Sequence, residues 1–321
     1  MHELPLPVQD LIDTLLEGVS GRVLQENVEA LSARYSGYKA QVEQIHEHLA
    51  YLVCRMPATF AAVSQAFWYL KERYASFSPV THADFGAGPA TAFFAACEAF
   101  PSLQKSHLIE RDSAFINLGK KLIDALGSSC TTTWEQNLAL EVKHSAYDLV
   151  TSSYMLSEMK EDARDAVVEK MWQQTSNCLV LVETGTPKGY ATVIQARDLL
   201  LKKGAFLVAP CPHHMSCPML HSDRWCHFSV RLARSRAHRL MKRAERGFED
   251  EKYCYLVASK HALEMPACNR VVATPGQHSG HVQLTLCTFE GQLAQTTVSR
   301  RSKEAYRVAK KLDWGDIYTQ P

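Results

Sequence analysis

Three thiols in one short stretch are the most chemically loaded feature of this chain. Cys211, Cys217 and Cys226 stand at C-x5-C-x8-C spacing; a proline directly follows the first two. Soft thiolates at this density select zinc or iron–sulfur clusters. A tetrahedral zinc site usually contains a C-x2-4-C knuckle, which is missing here. Cluster ligation by four cysteines, with proline after cysteine, suits the spacing better, and zinc is the alternative. The fourth ligand must come from further along the chain: Cys254, Cys268, Cys287 or one of the histidines between 205 and 227. Cys254 lies in an apolar run, where burial is its expected role. A loop core of unligated thiols is the competing reading. Cys54, Cys97, Cys130 and Cys178 are scattered singly on apolar stretches and read as buried free thiols.

A second group is the loop Asp84-Phe85-Gly86-Ala87-Gly88-Pro89-Ala90, which closes an apolar run and opens a helical one. Gly86 and Gly88 allow a tight turn and a close approach to a ligand, and Pro89 suits a first helical position. Glu110 follows 22 residues after Gly88, where an acidic side chain accepts both hydroxyls of a ribose. Thr91 replaces the third glycine of a dinucleotide fingerprint and no P-loop lysine follows. The pattern favours a ligand with a ribose and no pyrophosphate, S-adenosylmethionine (AdoMet). Ser152 would reach the same rim from a later strand, and Trp134-Glu135 would lie near an adenine. No Asn-Pro-Pro-Tyr follows that strand and no cysteine sits there, so no catalytic residue is assigned; Glu158 and Glu183 are possible bases.

The elements that must position these groups fall into three segments. Residues 1–78 read as helices, from the i, i+3, i+4 spacing of Val8, Leu11, Ile12, Leu15 and Leu16 and again of Val42, Ile45, Leu49, Leu52 and Val53. Residues 79–204 alternate strand-like runs (THADFGAG, SHLIERD, YDLVTSSY, NCLVLVETG) with helical ones, which implies a doubly wound parallel α/β sheet with ligands at the strands' carboxyl ends. Residues 205–321 form a cysteine-rich module containing a basic helix over 228–246, strands within 252–298 and a last helical stretch over 302–312.

The whole chain of 321 residues carries 35 Lys+Arg and 34 Asp+Glu, a formal charge of +1. Its distribution is uneven: the first 200 residues hold 16 basic and 24 acidic side chains, and the last 121 hold 19 and 10. Arg231, Arg234, His238 and Lys242 would share one side of the basic helix, and Arg300 and Arg301 begin a second run, a surface suited to a phosphate backbone. No apolar run is long enough to cross a bilayer. The start, MHELPLPVQDLID, lacks the features of a signal or transit peptide, so a cytoplasmic protein is expected.

Together DFGAGPATA, LVLVETGTPKGY, IQARDLL, APCPHHMSCPM, WCHFSVRL, FEDEKYCYLVAS and KLDWGDIY resemble the methyltransferase-like assembly factors of the small ribosomal subunit, a family with bacterial and mitochondrial members. The resemblance covers about residues 80–318. It implies a class I AdoMet-methyltransferase fold, association with the maturing small subunit and its rRNA, and a [4Fe–4S] cluster held by Cys211, Cys217, Cys226 and Cys287. Non-catalytic assembly factor and zinc-containing small-molecule methyltransferase are the alternatives. Oligomeric state is not legible.

Overall fold

The structure, a computed structural model, describes residues 2–23, 26–27, 45–141, 145–241 and 245–319. Five strands run parallel: β1 (Thr81–Phe85), β2 (Lys105–Glu110), β3 (Thr131–Gln136), β4 (Tyr147–Ser153) and β5 (Thr175–Thr184). β4 and β5 are rich in consecutive apolar residues because helices cover both faces of the sheet. β6 (Phe206–Ala209) and β7 (Phe228–Ala233) both pair antiparallel with the long β8 (Phe248–Ser259), which itself lies antiparallel on β5. The order is β3-β2-β1-β4-β5-β8-β6, with β7 on β8. This is the expected doubly wound, class I methyltransferase-like α/β fold. Strand order reverses between β1 and β4, which opens a crevice at their carboxyl ends, where the glycine loop sits.

The helices are set by local signals. Asp112 caps the helix Ser113–Leu126 by accepting from the N–H groups of Ala114 (2.8 Å) and Phe115 (3.3 Å), and Gly127 ends it in the left-handed region. Thr186 caps Pro187–Lys202, whose first-turn proline needs no hydrogen-bond acceptor. The glycine loop departs from expectation: its helix spans Thr91–Ala99, so Pro89 lies in the turn before it.

The first segment contributes helices Leu6–Leu16, Ile45–Cys54 and Met56–Arg73, which join the main core. Val42, part of the expected apolar pattern, lies outside the described residues. Met56–Arg73 is alanine-rich and buried on most sides, which lets it pack closely against both Thr91–Ala99 and β8.

The boundary at 204 does not coincide with the edge of the sheet, because β6, β7 and β8 complete it. A second, antiparallel sheet follows: β9 (Asn269–Val271), β10 (Gly276–Gln277), β11 (His281–Cys287), β12 (Leu293–Ser299) and β13 (Ile317–Tyr318), ordered β10-β11-β9-β13 with β12 on β11. It has its own small core of Val271, Val282, Leu284, Leu286, Val298 and Tyr318, closed by Ala309 of the helix Lys303–Ala309.

The basic helix over 228–246 is replaced by β7 and the short helix Arg236–Met241. The alternating Phe228, Val230 and Leu232 bury one face of a strand, and this period of two overrides the helical spacing of the arginines. Arg231 and Arg234 therefore do not line one helical side with His238, and Lys242 lies outside the described residues.

Candidate functional site

Gly86 and Gly88 have φ of +73° and +53°, conformations that glycine adopts without strain. A Cβ on Gly86 would also stand 2.8 Å from the Met155 sulfur. Glu110 ends β2 as expected, and both its oxygens are engaged: Gly88 N–H donates to Oε2 (2.8 Å) and Asp112 N–H to Oε1 (2.9 Å). Burial raises its pKa, against those hydrogen bonds. Asp84 is fully buried. Its Oδ1 accepts from the Thr151 hydroxyl (2.6 Å) and its Oδ2 has no protein partner. Burial pushes its carboxyl up to about 7. His82 extends the chain of contacts inward, 2.8 Å from Thr151 and 2.9 Å from Ser106, and burial lowers it to about 3. The buried Ser152 hydroxyl on β4 also lacks a protein partner. Glu110 thus meets the glycine loop through the Gly88 N–H, with Asp84 near the end of β1 and Ser152 opposite Phe85 on β4.

Trp134 packs against Gly119 of the helix after β2, and Glu135 pairs with His107 at 3.1 Å. Glu183 is buried and accepts from the N–H groups of Leu156 (2.8 Å) and Ser157 (3.3 Å); burial raises it to about 7. Burial, with Glu183 nearby, raises Glu158 to about 8.

Three residues of the first segment, which the sequence reading gave no chemistry, reach this crevice. His48 lies 3.0 Å from Asp112, and Tyr51 packs its ring on Phe115 with its hydroxyl near Gly88. Arg55 donates to Glu251 (3.2 Å), which also accepts from the Tyr154 hydroxyl (2.9 Å). A His or Tyr on the apolar side of a helix has the spacing of any core residue, so no sequence signal marks them.

The thiols converge at the seam between the two sheets. Cys211 and Cys217 follow β6, Cys226 precedes β7, and Cys287 ends β11 of the second sheet. All four line one cavity of about 30 Å³ together with Cys254, Tyr190, Arg197, His213 and Arg270. Cys268 is buried elsewhere and does not line it. Cys254 donates to the Cys226 carbonyl (3.2 Å), so a backbone partner already occupies it. The Tyr190 hydroxyl is 3.4 Å from the Cys217 sulfur, and His213 Nε2 is 3.4 Å from that of Cys287. Burial, then repulsion from the neighbouring sulfurs, holds the Cys226 thiol well above its usual range; at Cys211 burial also dominates, opposed by Arg197 and Arg270. Arg197 Nε and His213 Nδ1 are buried without a protein partner. Among the described residues, no three His, Cys, Asp or Glu side chains are gathered closely enough to bind one metal ion. The four thiols surround a void rather than a point, and four thiolates are a donor set that a cluster would fit, as would zinc.

Of the arginines, Arg231 is exposed but held by Asp250 through two bonds of 2.7 and 3.0 Å, and Arg234 is bound to Glu249 at 3.0 Å. His238 is buried 3.1 Å from the same glutamate. Arg300 and Arg301 are exposed, with no ion pair among the described residues.

Residues 45–319 match the family described as mitochondrial small ribosomal subunit Rsm22. The chain is 31% identical over 288 residues to the human ribosome assembly protein METTL17, mitochondrial, covering 84% of this chain and 62% of that protein. It is 25% identical over 343 residues to the Rsm22-cox11 tandem protein 2, mitochondrial, of Schizosaccharomyces pombe, covering 90% and 45%. The chain thus spans about half to three-fifths of the length of these relatives. Similar solved structures include magnesium protoporphyrin IX methyltransferase from Synechocystis with bound SAH (TM-score 0.44, 10% identity, 75% of this chain and 99% of that one). Another is precorrin-6y C5,15-methyltransferase from Geobacter metallireducens (TM-score 0.42, 13% identity, 62% and 88%). The cytoplasmic placement expected from the N-terminal residues is overturned, because these curated relatives are named as mitochondrial. With the family match running through both sheets and the thiol cavity, the chain belongs to the mitochondrial small ribosomal subunit Rsm22 family.

Proposed function

We propose that this protein is an rRNA-associated, methyltransferase-like assembly factor of the small ribosomal subunit. In this reading Cys211, Cys217, Cys226 and Cys287 hold a [4Fe–4S] cluster. The observation that carries it is the seam cavity, where three thiols of the first sheet's loops meet one from the second sheet. When bound, the cluster supplies iron–thiolate bonds that tie the two sheets together. The exposed Arg300 and Arg301 lie in the turn that follows β12 of the second sheet, so the same bonds would fix a basic surface for RNA. The relatives' names support ribosome assembly as the setting.

Protein purified without oxygen should be brown, with broad absorption near roughly 400 nm and with iron and acid-labile sulfide. Cys287→Ser should lose both, and Cys254→Ser should keep them. Colourless protein carrying zinc would overturn the cluster, and the reverse pair of results would reassign the fourth ligand.

AdoMet is the ligand proposed for the glycine loop, held by Glu110, Asp84 and Ser152; the unpartnered Asp84 Oδ2 and Ser152 hydroxyl fit a polar guest. A non-catalytic role is the second reading. Met155 packs on Gly86, and the Gly88 N–H of the loop engages Glu110, so the crevice is closely filled by protein. Titration calorimetry with AdoMet on the wild type, Gly86→Arg and Glu110→Ala separates the two. Binding lost in both variants supports the pocket, and absence of wild-type binding removes methyl transfer.

A further inference from the structure

Two arginines flank the thiol cavity, and both are almost wholly inaccessible: Arg197 is 1% exposed and Arg270 2%. Arg197 stands seven residues after Tyr190 on the helix Pro187–Lys202, on the face turned to the thiols. Its guanidinium donates to the carbonyls of His213 and Met215, which lie inside the loop from Cys211 to Cys217. Arg270 sits on β9 directly opposite Cys287 on β11, so their side chains share one face of the second sheet. It donates to the carbonyl of Pro210, the residue before Cys211 (3.1 Å), and to that of Gly315 (2.7 Å). The loop carrying two of the thiols is thereby gripped by one cation from the helix Pro187–Lys202 and one from the second sheet.

The protein's own carboxylates balance these cations incompletely. Asp198, 2.9 Å from Arg197, has a side chain 46% exposed to water. Glu72 is 3.5 Å from Arg270. A buried guanidinium is expensive unless a countercharge meets it, and Arg197 Nε has no protein partner. A centre with four thiolates around a metal core carries about two negative charges in its resting state. Two buried cations match that charge.

We propose that Arg197 and Arg270 are the countercharge of the metal–thiolate centre: they stabilise its more negative, reduced state and set its reduction potential. This rests on the cluster reading above. Glu72 opposes the effect by partly neutralising Arg270. Both arginines also position the Cys211–Cys217 loop, and potential separates charge from positioning because substitutions of opposite charge move it in opposite directions.

The test is a redox titration of the anaerobically purified full chain, followed by electron paramagnetic resonance, with iron and sulfide measured for each variant. Arg197→Gln and Arg270→Gln should each be about tenfold less reduced at the potential where the wild type is half reduced, a shift of about 59 mV for one electron. Arg197→Lys should fall closer to the wild type. Glu72→Gln should shift the other way. Equal potentials in loaded wild-type, Arg270→Gln and Glu72→Gln proteins overturn the inference and leave the cluster reading standing. If the arginine variants fail to load, Glu72→Gln decides alone: a higher potential supports the countercharge and an unchanged one overturns it. Wild-type protein with zinc and no sulfide overturns the cluster reading itself. Faster loss of that zinc to a chelator from Arg270→Gln, and slower loss from Glu72→Gln, would then support the countercharge; equal rates would overturn it.

Discussion

Asp84 shows how a single residue ties the crevice to solution conditions. Its carboxyl is buried among Thr151, Glu110 and the glycine loop, and burial raises it from 3.8 to about 7. A carboxyl with a raised folded pKa binds its proton more tightly in the native state. Its contribution to stability is complete below the unfolded value and is lost as the pH rises through about 7. Urea midpoints should therefore fall between about pH 4 and pH 7 more steeply in the wild type than in Asp84→Asn, which keeps the acceptor for Thr151. Glu183, raised to about 7 by burial, adds slope over the same window. At Gly86 both the positive φ and the Met155 side chain oppose a larger residue. Gly86→Ala should cost about 1–3 kcal/mol, read from thermal or urea unfolding, and Met155→Ala should restore only part of it because the backbone strain remains.

Among the elements, the helix Ser113–Leu126 depends on a cap with two duties. Asp112 satisfies two amide donors of the first turn through Oδ1, and its Oδ2 meets His48 of the helix Ile45–Cys54. Asp112→Ala should cost at least the ~1 kcal/mol typical of a lost cap. His48→Ala should cost less, since the cap bonds survive; chemical denaturation of the two variants gives the comparison. The cap is readable as Asp-Ser at the start of an apolar helical pattern, but its second partner is 64 residues away and no local pattern announces it. β7 is the opposite case. Its arginines invited a helix, yet Phe228, Val230 and Leu232 find a sheet edge to cover on β8, and burial outweighs the spacing of exposed charges.

Over the whole molecule the near-neutral total conceals an acidic first part and a basic last part, with 19 basic against 10 acidic side chains after residue 200. Which of those charges face a partner depends on pairing in the fold. Arg231 is neutralised by Asp250, whereas Arg300 and Arg301 stand exposed without an ion pair among the described residues. Binding to a small-subunit rRNA fragment, measured over a range of salt, should weaken with Arg300→Ala/Arg301→Ala, and the log–log slope should drop by about 2, near one per phosphate contact. Arg231→Ala should leave the slope unchanged. An unchanged slope in the double variant would place the RNA surface elsewhere.

By itself the sequence determined the parts whose chemistry is local. A turn that needs positive φ requires glycine at 86 and 88, alternating strand and helix patterns specify a doubly wound sheet, and close spacing sets three thiols apart from the scattered ones. The tertiary structure decided what lies between distant segments. It brought Cys287 and Arg270 across from a second sheet to the Cys211 loop, kept Cys268 away, placed Tyr51 beside Gly88, His48 on Asp112 and Arg55 on Glu251, and carried β6, β7 and β8 into the first sheet. Spacing along a chain encodes the neighbours of a turn or a strand face; which strands pair across a hundred residues depends on burying all their apolar faces at once.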